Sequence, residues 1–240
     1  MENWVLTWPQ YQVLLTGLRG TLLILFWSFL LGVVLSLIFG VARLSPREWI
    51  RGAALVYVEF ARGISSVILL FIMAIAIPIL LQVGQAPLLM LAAIALGINM
   101  GGYGAEIVRG SINAIPKGQT EACVALNLSP TQRLRHVVLP QAMRIILPPM
   151  GNLTIEILKG TALVSLIGFG DLMQQTRNLI QSQLAAGVAG VTVLFVNVLV
   201  IYFIVAQVIN GLFRLGEWRL NKRFEERTGR SAVAVGEVHA

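Results

Sequence analysis

Glu156 and Lys159 are two ionisable residues that lie three positions apart inside an apolar segment of this chain. A charged group at the middle of a membrane costs at least about 2.5 kcal/mol unless it is paired or hydrated. On a helix, residues three apart are neighbours, so the two charges could simply neutralise each other. Asn152, Thr161 and Ser165 add polarity to the same segment, which favours a polar lining for a solute path. The two charges could then meet the amine and the carboxylate of a zwitterion.

Other chemistry is excluded by what the sequence lacks. There is no Gly-x-x-x-x-Gly-Lys-Ser/Thr phosphate loop. The stretch that resembles one most, residues 168–171, is not followed by Lys. Histidine occurs only at His136 and His239, so neither a catalytic triad nor a metal site has its ligands; His136 is expected to be a solvated helix residue. Cys123 is the single cysteine, so there is no disulfide framework. We therefore expect no enzyme activity, no bound cofactor, and any ATP to be used by a partner subunit.

Composition excludes an ordinary soluble domain. The mean hydropathy is +0.80, 57% of the residues are hydrophobic and 12% are charged. A chain of 240 residues can hold about five membrane spans of roughly 20 residues. Basic residues flank the apolar runs and avoid alternate loops, which is the positive-inside pattern rather than a nucleic-acid surface. The three basic clusters are Arg43, Arg47 and Arg51; Arg109, Lys117, Arg133, Arg135 and Arg144; and Arg214, Arg219, Lys222, Arg223, Arg227 and Arg230.

The pattern therefore predicts an all-α membrane protein with five transmembrane helices, its N-terminus outside and its C-terminus cytoplasmic. Residues 1–20 are expected to be an external segment, 21–213 the transmembrane domain, and 214–240 a cytoplasmic tail with a disordered end. The expected spans are 21–42, 53–81, 88–107, an irregular fourth segment, and 188–213, with an external turn at 82–87 and an external loop at 171–187. The fourth segment is expected to be interrupted at Pro148-Pro149, Gly151, Gly160 and Gly168-Phe-Gly170.

A polar, helix-prone island lies between the third and fourth apolar runs, within a cytoplasmic loop at 108–144. Pro116 opens a first short helix, and Asn127 breaks it at a corner where φ > 0 is expected. Ser129 and Gln132 are spaced as a capping box around a second short helix, which Leu139-Pro140 closes. Two short helices at a sharp corner have the shape of a docking element.

The island resembles the EAA signature of ABC-importer permeases. The matching positions are Glu121-Ala122-Cys123, Asn127, Val137 and Leu139-Pro140. In that family this loop forms the coupling helices that sit in a cleft of the cytoplasmic ATPase. Two positions differ, with Cys123 for Ala and Asn127 for Gly. The resemblance implies that the ATPase-coupling residues are Glu121, Ala122, Ala125, Asn127 and Pro140.

The resemblance extends over nearly the whole chain and is most specific for permeases of polar amino acids. That family serves histidine, glutamine and arginine, and it has a branch for ectoine and hydroxyectoine. Ile64-Ser-Ser replaces the family's Thr-Pro-Leu after Arg62-Gly63, which leans toward the ectoine-like branch. Its other matching stretches are Gly17-Leu-Arg-Gly-Thr21, Tyr57-Val-Glu-Phe-Ala-Arg-Gly63, Gly102-Tyr-Gly-Ala-Glu-Ile-Val-Arg-Gly110, Pro116-Lys-Gly-Gln119, Leu139-Pro-Gln-Ala-Met-Arg144, Pro148-Pro-Met-Gly-Asn152 and Leu158-Lys-Gly-Thr-Ala-Leu-Val-Ser165.

The resemblance implies a multi-pass protein of the bacterial cytoplasmic (inner) membrane with the MetI-like, type I importer architecture. Its implied partners are an ABC ATPase dimer, a second permease half that is identical or a sister chain, an extracytoplasmic solute-binding protein and membrane lipid. One alternative is an ion-coupled secondary transporter of small zwitterions, which a single Glu156–Lys159 pair supports poorly. The other is a non-transporting membrane scaffold, which leaves the polar fourth segment unexplained.

Two further charge pairs are spaced for neighbouring positions on a helix. Glu59 and Arg62 are expected to be a structural pair near the cytoplasmic end of their span. Glu106 and Arg109 fit equally well a helix-end pair worth about 0.3–0.5 kcal/mol and a role in gating.

Overall fold

The structure, a computed structural model, describes residues 6–82, 87–185 and 191–228. Within these ranges all regular structure is helical, which confirms the predicted all-α class. The described helices are α1 (Trp8–Ala42), α2 (Glu48–Gly63), α3 (Ser66–Leu80), α4 (Leu88–Asn113), α5 (Lys117–Ala125), α6 (Pro130–Ile167), α7 (Leu172–Ala185) and α8 (Val191–Thr228).

The described helices fit the predicted five spans, but the second is broken. Four helices (α1, α4, α6 and α8) are long and apolar enough to cross a membrane. The pair α2 and α3 passes the same test only jointly, and it bends by 99°. The bend arises because Ile64 and Ser65 have extended backbones, with ψ of 139° and 130°. The predicted span at 53–81 therefore contains a sharp bend, which the hydropathy pattern did not predict.

The first and last helices extend beyond their predicted ends. Helix α1 begins at Trp8 rather than near residue 21, and the Gln10 side chain accepts a hydrogen bond from the Thr7 backbone N–H at this start. No strong helix breaker follows Pro9, so the helix runs on for about 52 Å. Helix α8 likewise continues to Thr228, well into the predicted tail. Residues 1–5 and 229–240 lie outside the described residues, and the sides on which the two ends lie stay predictions.

The largest helix contact joins α1 to α4 through small residues. Gly32, Ser36 and Gly40 recur every four positions on α1 and are all buried. A Cβ at Gly40 would lie 2.6 Å from the Val108 Cβ, and one at Gly104 would collide with the Ser36 Oγ. Only small residues let two membrane helices approach so closely. This interface is part of a core to which α6 also contributes, and its fully buried side chains include Ile24, Leu96, Met100, Leu158 and Val164.

Helix α6 is continuous where the second short helix and an interrupted span were expected, whereas the first short helix is the separate α5. Leu139-Pro140 does not close the island, because the helix that starts at Pro130 passes through it. Residues Leu134–Val138 form a π turn, in which the Leu139 N–H donates to the Leu134 carbonyl. Proline lacks an N–H and crowds the carbonyl four residues before it, and the wider turn accommodates both effects. A second π turn, Ile72–Ala76, precedes Pro78 in α3 in the same way.

The predicted interruptions at Pro148-Pro149 and Gly151 are also wrong, because the α-helical part of α6 passes through them; it ends at Gly160, another of the predicted positions. Helix α6 then tightens to a 3₁₀ helix at Thr161–Ile167 and ends at Gly168, whose φ of 78° is left-handed. The predicted external loop at 171–187 contains the helix α7. Residues 186–187 of that loop and residues 83–86 of the predicted turn at 82–87 lie outside the described residues.

Asp171 caps the start of α7. Its carboxylate accepts hydrogen bonds from the backbone N–H groups of Met173 and Gln174, at 3.2 and 3.0 Å. The residue is completely buried, and the neighbouring Leu172 N–H donates to the Thr21 hydroxyl of α1 at 3.1 Å. Burial raises the pKa of the Asp171 carboxyl to about 6, and the backbone hydrogen bonds oppose that rise. A titratable group therefore lies at the joint between α7 and α1.

Candidate functional site

The short helix α5 presents its predicted coupling residues to the outside of the chain. Pro116 is its N-cap, so the helix begins at Lys117, one residue later than expected. Glu121, Ala122 and Ala125 are all exposed, whereas Cys123 is buried. Cys123 therefore packs inward, and the neighbouring surface is left small and accessible.

Apolar side chains adjoin this exposed carboxylate. Val124 is 54% exposed and Leu126 is 73% exposed. Leu126 is the C-cap of α5 and lies immediately before the corner. The exposed surface of α5 and its C-cap therefore combines a carboxylate, two alanines and two aliphatic side chains.

The corner after α5 is left-handed, which confirms the conformation expected at Asn127. Its φ is 52°, and only one other described residue besides glycine, Gln82, has a positive φ. The Asn127 N–H donates to the Val124 carbonyl at 2.9 Å, and the Leu128 N–H donates to the Cys123 carbonyl at 3.0 Å. These two bonds form a Schellman motif, which requires a left-handed residue at this position.

The predicted capping box at the start of α6 is also confirmed. The Ser129 Oγ accepts from the Gln132 N–H at 3.3 Å, and the Gln132 Oε1 accepts from the Ser129 N–H at 2.9 Å. Pro130 occupies the first turn, as expected. Pro140 is exposed but lies inside α6 rather than at a helix end. The corner and the cap together fix the direction in which α6 leaves α5. His136 is exposed, as expected.

A cavity of about 710 Å³ lies behind this element, at the end of the helices where the first two basic clusters meet. We call this end the basic end. The cavity separates α5 and the start of α6 from the ends of α1 and α4. Its walls include Leu44, Ile112, Lys117, Thr120 and Leu134. Helix α5 is therefore only loosely packed against the transmembrane helices.

One face of α6 carries polar side chains that point away from the core of the chain. Asn152, Glu156 and Lys159 are all exposed and recur at spacings of four and three residues, which places them on one side of the helix. Thr161 and Ser165 do not join them. Both are buried, and their hydroxyls donate to the Leu158 and Ala162 carbonyls at 2.6 and 2.8 Å. The structure therefore brings together three of the five predicted path residues.

Glu156 and Lys159 do not neutralise each other in the structure. Among the described residues, the ion pairs join Glu48 to Arg51, Glu59 to Arg62, and Glu106 to both Arg43 and Arg109. The predicted Glu59–Arg62 pair is confirmed, although its 3.9 Å separation is long. Because Glu156 and Lys159 are not paired, both charges are available to a solute or to another chain.

A cleft of about 370 Å³ opens beside the polar face of α6. Arg62 and Tyr103 lie on its other side, and the Arg62 guanidinium is 5.6 Å from the centre of the Tyr103 ring. The Tyr103 hydroxyl donates to the Arg62 carbonyl at 3.3 Å. Sequence reasoning assigned Arg62 only to a structural pair and did not select Tyr103. The cleft lining also includes Glu106, Ile107, Pro149, Asn152, Leu153 and Glu156.

Glu106 joins two helices instead of serving only as a helix-end partner. The Arg109 Nε and Nη2 both donate to its Oε2, at 3.0 and 2.7 Å. The Arg43 Nη1 of the α1 C-cap lies 3.2 Å from its other oxygen. Sequence reasoning missed Arg43, because that residue is distant in the chain from Glu106. Glu106 therefore helps fix α1 to α4 at the basic end, next to the cleft.

Comparisons with known proteins agree on one family. Residues 32–214 match the family described as "Binding-protein-dependent transport system inner membrane component". A probable amino-acid ABC transporter permease of Sinorhizobium fredii is 38% identical over 210 residues, which cover 82% of this chain and 84% of that protein. The glutamine transport system permease protein of Escherichia coli (strain K12) is 33% identical over 219 residues, 91% of this chain and 97% of that protein.

Solved structures of two transporters share the fold. The crystal structure of an amino acid ABC transporter with histidines has a TM-score of 0.76 and 32% identity, covering 87% of this chain and 94% of that chain. An inward-facing structure of the MetNI methionine ABC transporter has a TM-score of 0.72 and 25% identity, and the match covers 90% of this chain and 99% of that chain.

Proposed function

This chain belongs to the family of binding-protein-dependent transport system inner membrane components, and from that premise we propose that the polar face of α6 and its adjoining cleft line the path of a zwitterionic solute. The chain is the permease subunit of an ABC importer in the inner membrane. Membership implies an ATPase and a solute-binding protein as partners. The solute and the arrangement of the partners are part of our proposal.

The exposure of Glu156 and Lys159 on α6 carries the proposal. Facing lipid near mid-span, each charge would cost at least about 2.5 kcal/mol. The cost is avoided if this face of α6 is covered by a second permease half, with water and solute between the two. We therefore place the path between two such chains, identical or sister, with α6 of each chain at its centre.

The cleft suggests how a zwitterion is held. Glu156 offers a carboxylate to an amine, and Arg62 on the other side offers a guanidinium to a carboxylate. Asn152 adds an amide between them, and the volume of about 370 Å³ is within the range of small-molecule sites. A polar amino acid fits this chemistry, and so does an amino-acid-like compatible solute such as ectoine or hydroxyectoine.

Energy would enter through α5. We place the ATPase against Glu121, Ala122 and Ala125, because this surface is exposed, partly apolar and rigidly joined to α6 by the corner at Asn127. Pro140 is exposed and lies just after the π turn of α6, at the same end of the chain's helices. Closure of two ATPase subunits around ATP would then move α6, and with it the lining of the path.

Charge removal on α6 tests the proposed path. Glu156→Gln and Lys159→Gln keep polarity and size, and neither leaves an ion-pair partner behind. In reconstituted complexes we expect each change, and the double change, to lower solute uptake at least about tenfold, the loss of one charge-assisted hydrogen bond. The ATPase should still assemble and respond to the binding protein. Glu48→Gln, on a side chain that is 90% exposed, is the matched control.

Two results would contradict this proposal. Normal uptake by the assembled double variant would remove Glu156 and Lys159 from the path. Uptake that follows an ion gradient without ATP would favour the secondary-transporter alternative instead.

A further inference from the structure

The last helix extends far beyond the thickness of a membrane. Helix α8 has 38 residues and is therefore about 57 Å long, whereas the hydrocarbon core needs only about 30 Å. If the span begins near Val191, residues 214–228 continue past the membrane at the basic end. We call these residues the α8 extension.

The C-terminal half of α8 packs closely along the first half of α6. A Cβ at Gly151 of α6 would lie 3.0 Å from the Phe213 Cγ. One at Gly216 of α8 would lie 3.0 Å from the Leu147 Cδ2. Because glycine faces a large side chain at both levels, the two helices can run side by side toward the basic end. The next contact in that direction is Arg144.

Arg144 holds the α8 extension by two kinds of contact. Its Nε donates a hydrogen bond to the Asn221 Oδ1 at 2.8 Å. Its guanidinium carbon lies 4.2 Å from the centre of the Phe224 ring, which is a close cation–π contact. No ion pair involves Arg144 among the described residues. The two contacts use a planar, charged guanidinium that donates to an amide oxygen and lies over a ring at the same time, and lysine cannot reproduce both.

Arg144 also lies where the α8 extension approaches α5, the helix of the proposed ATPase contact. Gln141, one turn earlier on α6, donates through its Nε2 to the Gln119 Oε1 of α5 at 3.3 Å. A cavity of about 350 Å³ lies between these elements, and its walls are Ile115, Pro116, Gln141, Arg144, Ile145 and Asn221. Helix α5 therefore has room to shift toward the extension, and Arg144 with Asn221 forms the far wall.

We propose that Arg144 is a positioning residue for energy coupling, which fixes the α8 extension to α6 so that both move with α5. This inference rests on the proposed docking of an ATPase at α5. When Arg144 contacts Asn221 and Phe224, α6 and α8 move together as one rigid body in response to a displacement of α5. Without these contacts, α5 and the start of α6 can move into the cavity of about 350 Å³ while the membrane-spanning parts of α6 and α8 stay in place. ATP is then hydrolysed with less solute moved.

The test measures solute imported per ATP hydrolysed by the full importer complex in proteoliposomes. Arg144→Ala and Arg144→Lys should both lower this ratio about fivefold, with ATPase subunits still bound. Asn221→Ala and Phe224→Leu each remove one contact and should lower it about twofold. Combined with Arg144→Ala, neither should lower the ratio further, because the contact is already lost. Arg219→Ala, on an exposed residue of the same extension, is the matched control and should be silent.

A distance measurement separates positioning from simple loss of structure. Spin labels at Thr131 on α6, which is exposed, and at Glu217 on the extension, which is partly exposed, should give one narrow distance distribution in the parent complex. The distribution should broaden in Arg144→Lys while the melting temperature stays within about 2 °C, the shift expected for a small change in stability.

Each remaining outcome decides the matter. A parent-like ratio in Arg144→Ala overturns the inference, as does full rescue by Arg144→Lys or a lower ratio with an unchanged distance distribution. If Arg144→Ala fails to assemble, the ratios of Asn221→Ala and Phe224→Leu decide in its place. Glu121→Lys, measured in parallel, separates the two levels. If it leaves ATPase stimulation intact, the proposed function fails; if it abolishes stimulation while Arg144→Ala is silent, only this inference fails.

Discussion

Replacing Asn127 by valine should uncouple the permease, because the corner between α5 and α6 needs a left-handed residue. Asn127 has φ of 52° and donates its N–H to the Val124 carbonyl. A left-handed conformation costs an ordinary residue about 1–2 kcal/mol, asparagine less and a β-branched residue most. Since about 1.4 kcal/mol is a tenfold change in an equilibrium constant, Asn127→Val should lower the equilibrium constant for the intact corner about tenfold.

Asn127→Gly is the matched comparison, since glycine adopts positive φ at no steric cost. Both variants should insert and should bind the ATPase, because the exposed residues of α5 are unchanged. We expect uptake and binding-protein-stimulated ATP hydrolysis in proteoliposomes to stay near the parent level for glycine and to fall about tenfold for valine. Full activity of the valine variant would show that a left-handed corner is not required, and our account of the coupling element would be wrong.

Three further predictions test the fold. Gly104→Ala should lower stability by about 1–3 kcal/mol through the collision with Ser36, whereas Gly110→Ala on the same helix, with open space around it, should not; melting in detergent compares them, and equal melting temperatures would argue against the α1–α4 contact. The Asp171 carboxyl has its pKa raised by burial to about 6 from 3.8, so the folded state favours the protonated form and stability should fall as pH rises through about 4 to 6. A pKa difference of two units amounts to about 3 kcal/mol of stability. Asp171→Asn keeps a good N-cap and should make stability independent of pH over that range. A parent protein that gains stability as the pH rises over that range would contradict a raised pKa for Asp171. A reporter after Gly229 should be cytoplasmic and one inserted between Gln82 and Pro87 external, and the same side for both would refute the five-span topology.

The corner at Asn127 and the cap at Ser129 could be predicted from the sequence, because both depend on local chemistry. Ser129 and Gln132 cap α6 through bonds that span three residues, and Asn127 is among the few residues that tolerate positive φ. The all-α class and the number of spans follow from hydropathy, which acts along the chain. Such features depend on near neighbours, so their spacing is sufficient to predict them.

Features that depend on tertiary contacts were missed or wrong. The bend at Ile64 and Ser65 has no proline or glycine at its centre, and hydropathy does not detect it. Pro140 was expected to end a helix, but a π turn absorbs its effect. Prolines in a membrane helix are tolerated where neighbouring groups satisfy the freed backbone, and a sequence does not reveal those groups.

The candidate path shows the same division. Asn152 and Glu156 were selected for their polarity, and their spacing does place them on one face. Thr161 was selected for the same reason, yet its hydroxyl bonds to its own helix and is buried. Arg62 reaches the cleft because α2 packs against α4, where it contacts Tyr103. Arg43 reaches Glu106 because α1 and α4 pack closely. The fold, rather than the type of residue, therefore determines which side chains line the candidate path.

We place the action of ATP hydrolysed on another subunit at the exposed face of α5, and charge reversal at Glu121 tests this placement. Replacing a carboxylate by an ammonium in a docked interface costs several kcal/mol, because like charges are then opposed. Ala122 and Ala125 stay in place, so insertion of the permease and pairing of its halves should be unaffected.

The measurement is solute uptake and binding-protein-stimulated ATP hydrolysis by Glu121→Lys in proteoliposomes, beside Glu48→Lys, which reverses an exposed charge on α2. Our account predicts that both activities collapse in Glu121→Lys and stay near the parent level in Glu48→Lys. Parent-level uptake and stimulation in Glu121→Lys would contradict the coupling role of α5.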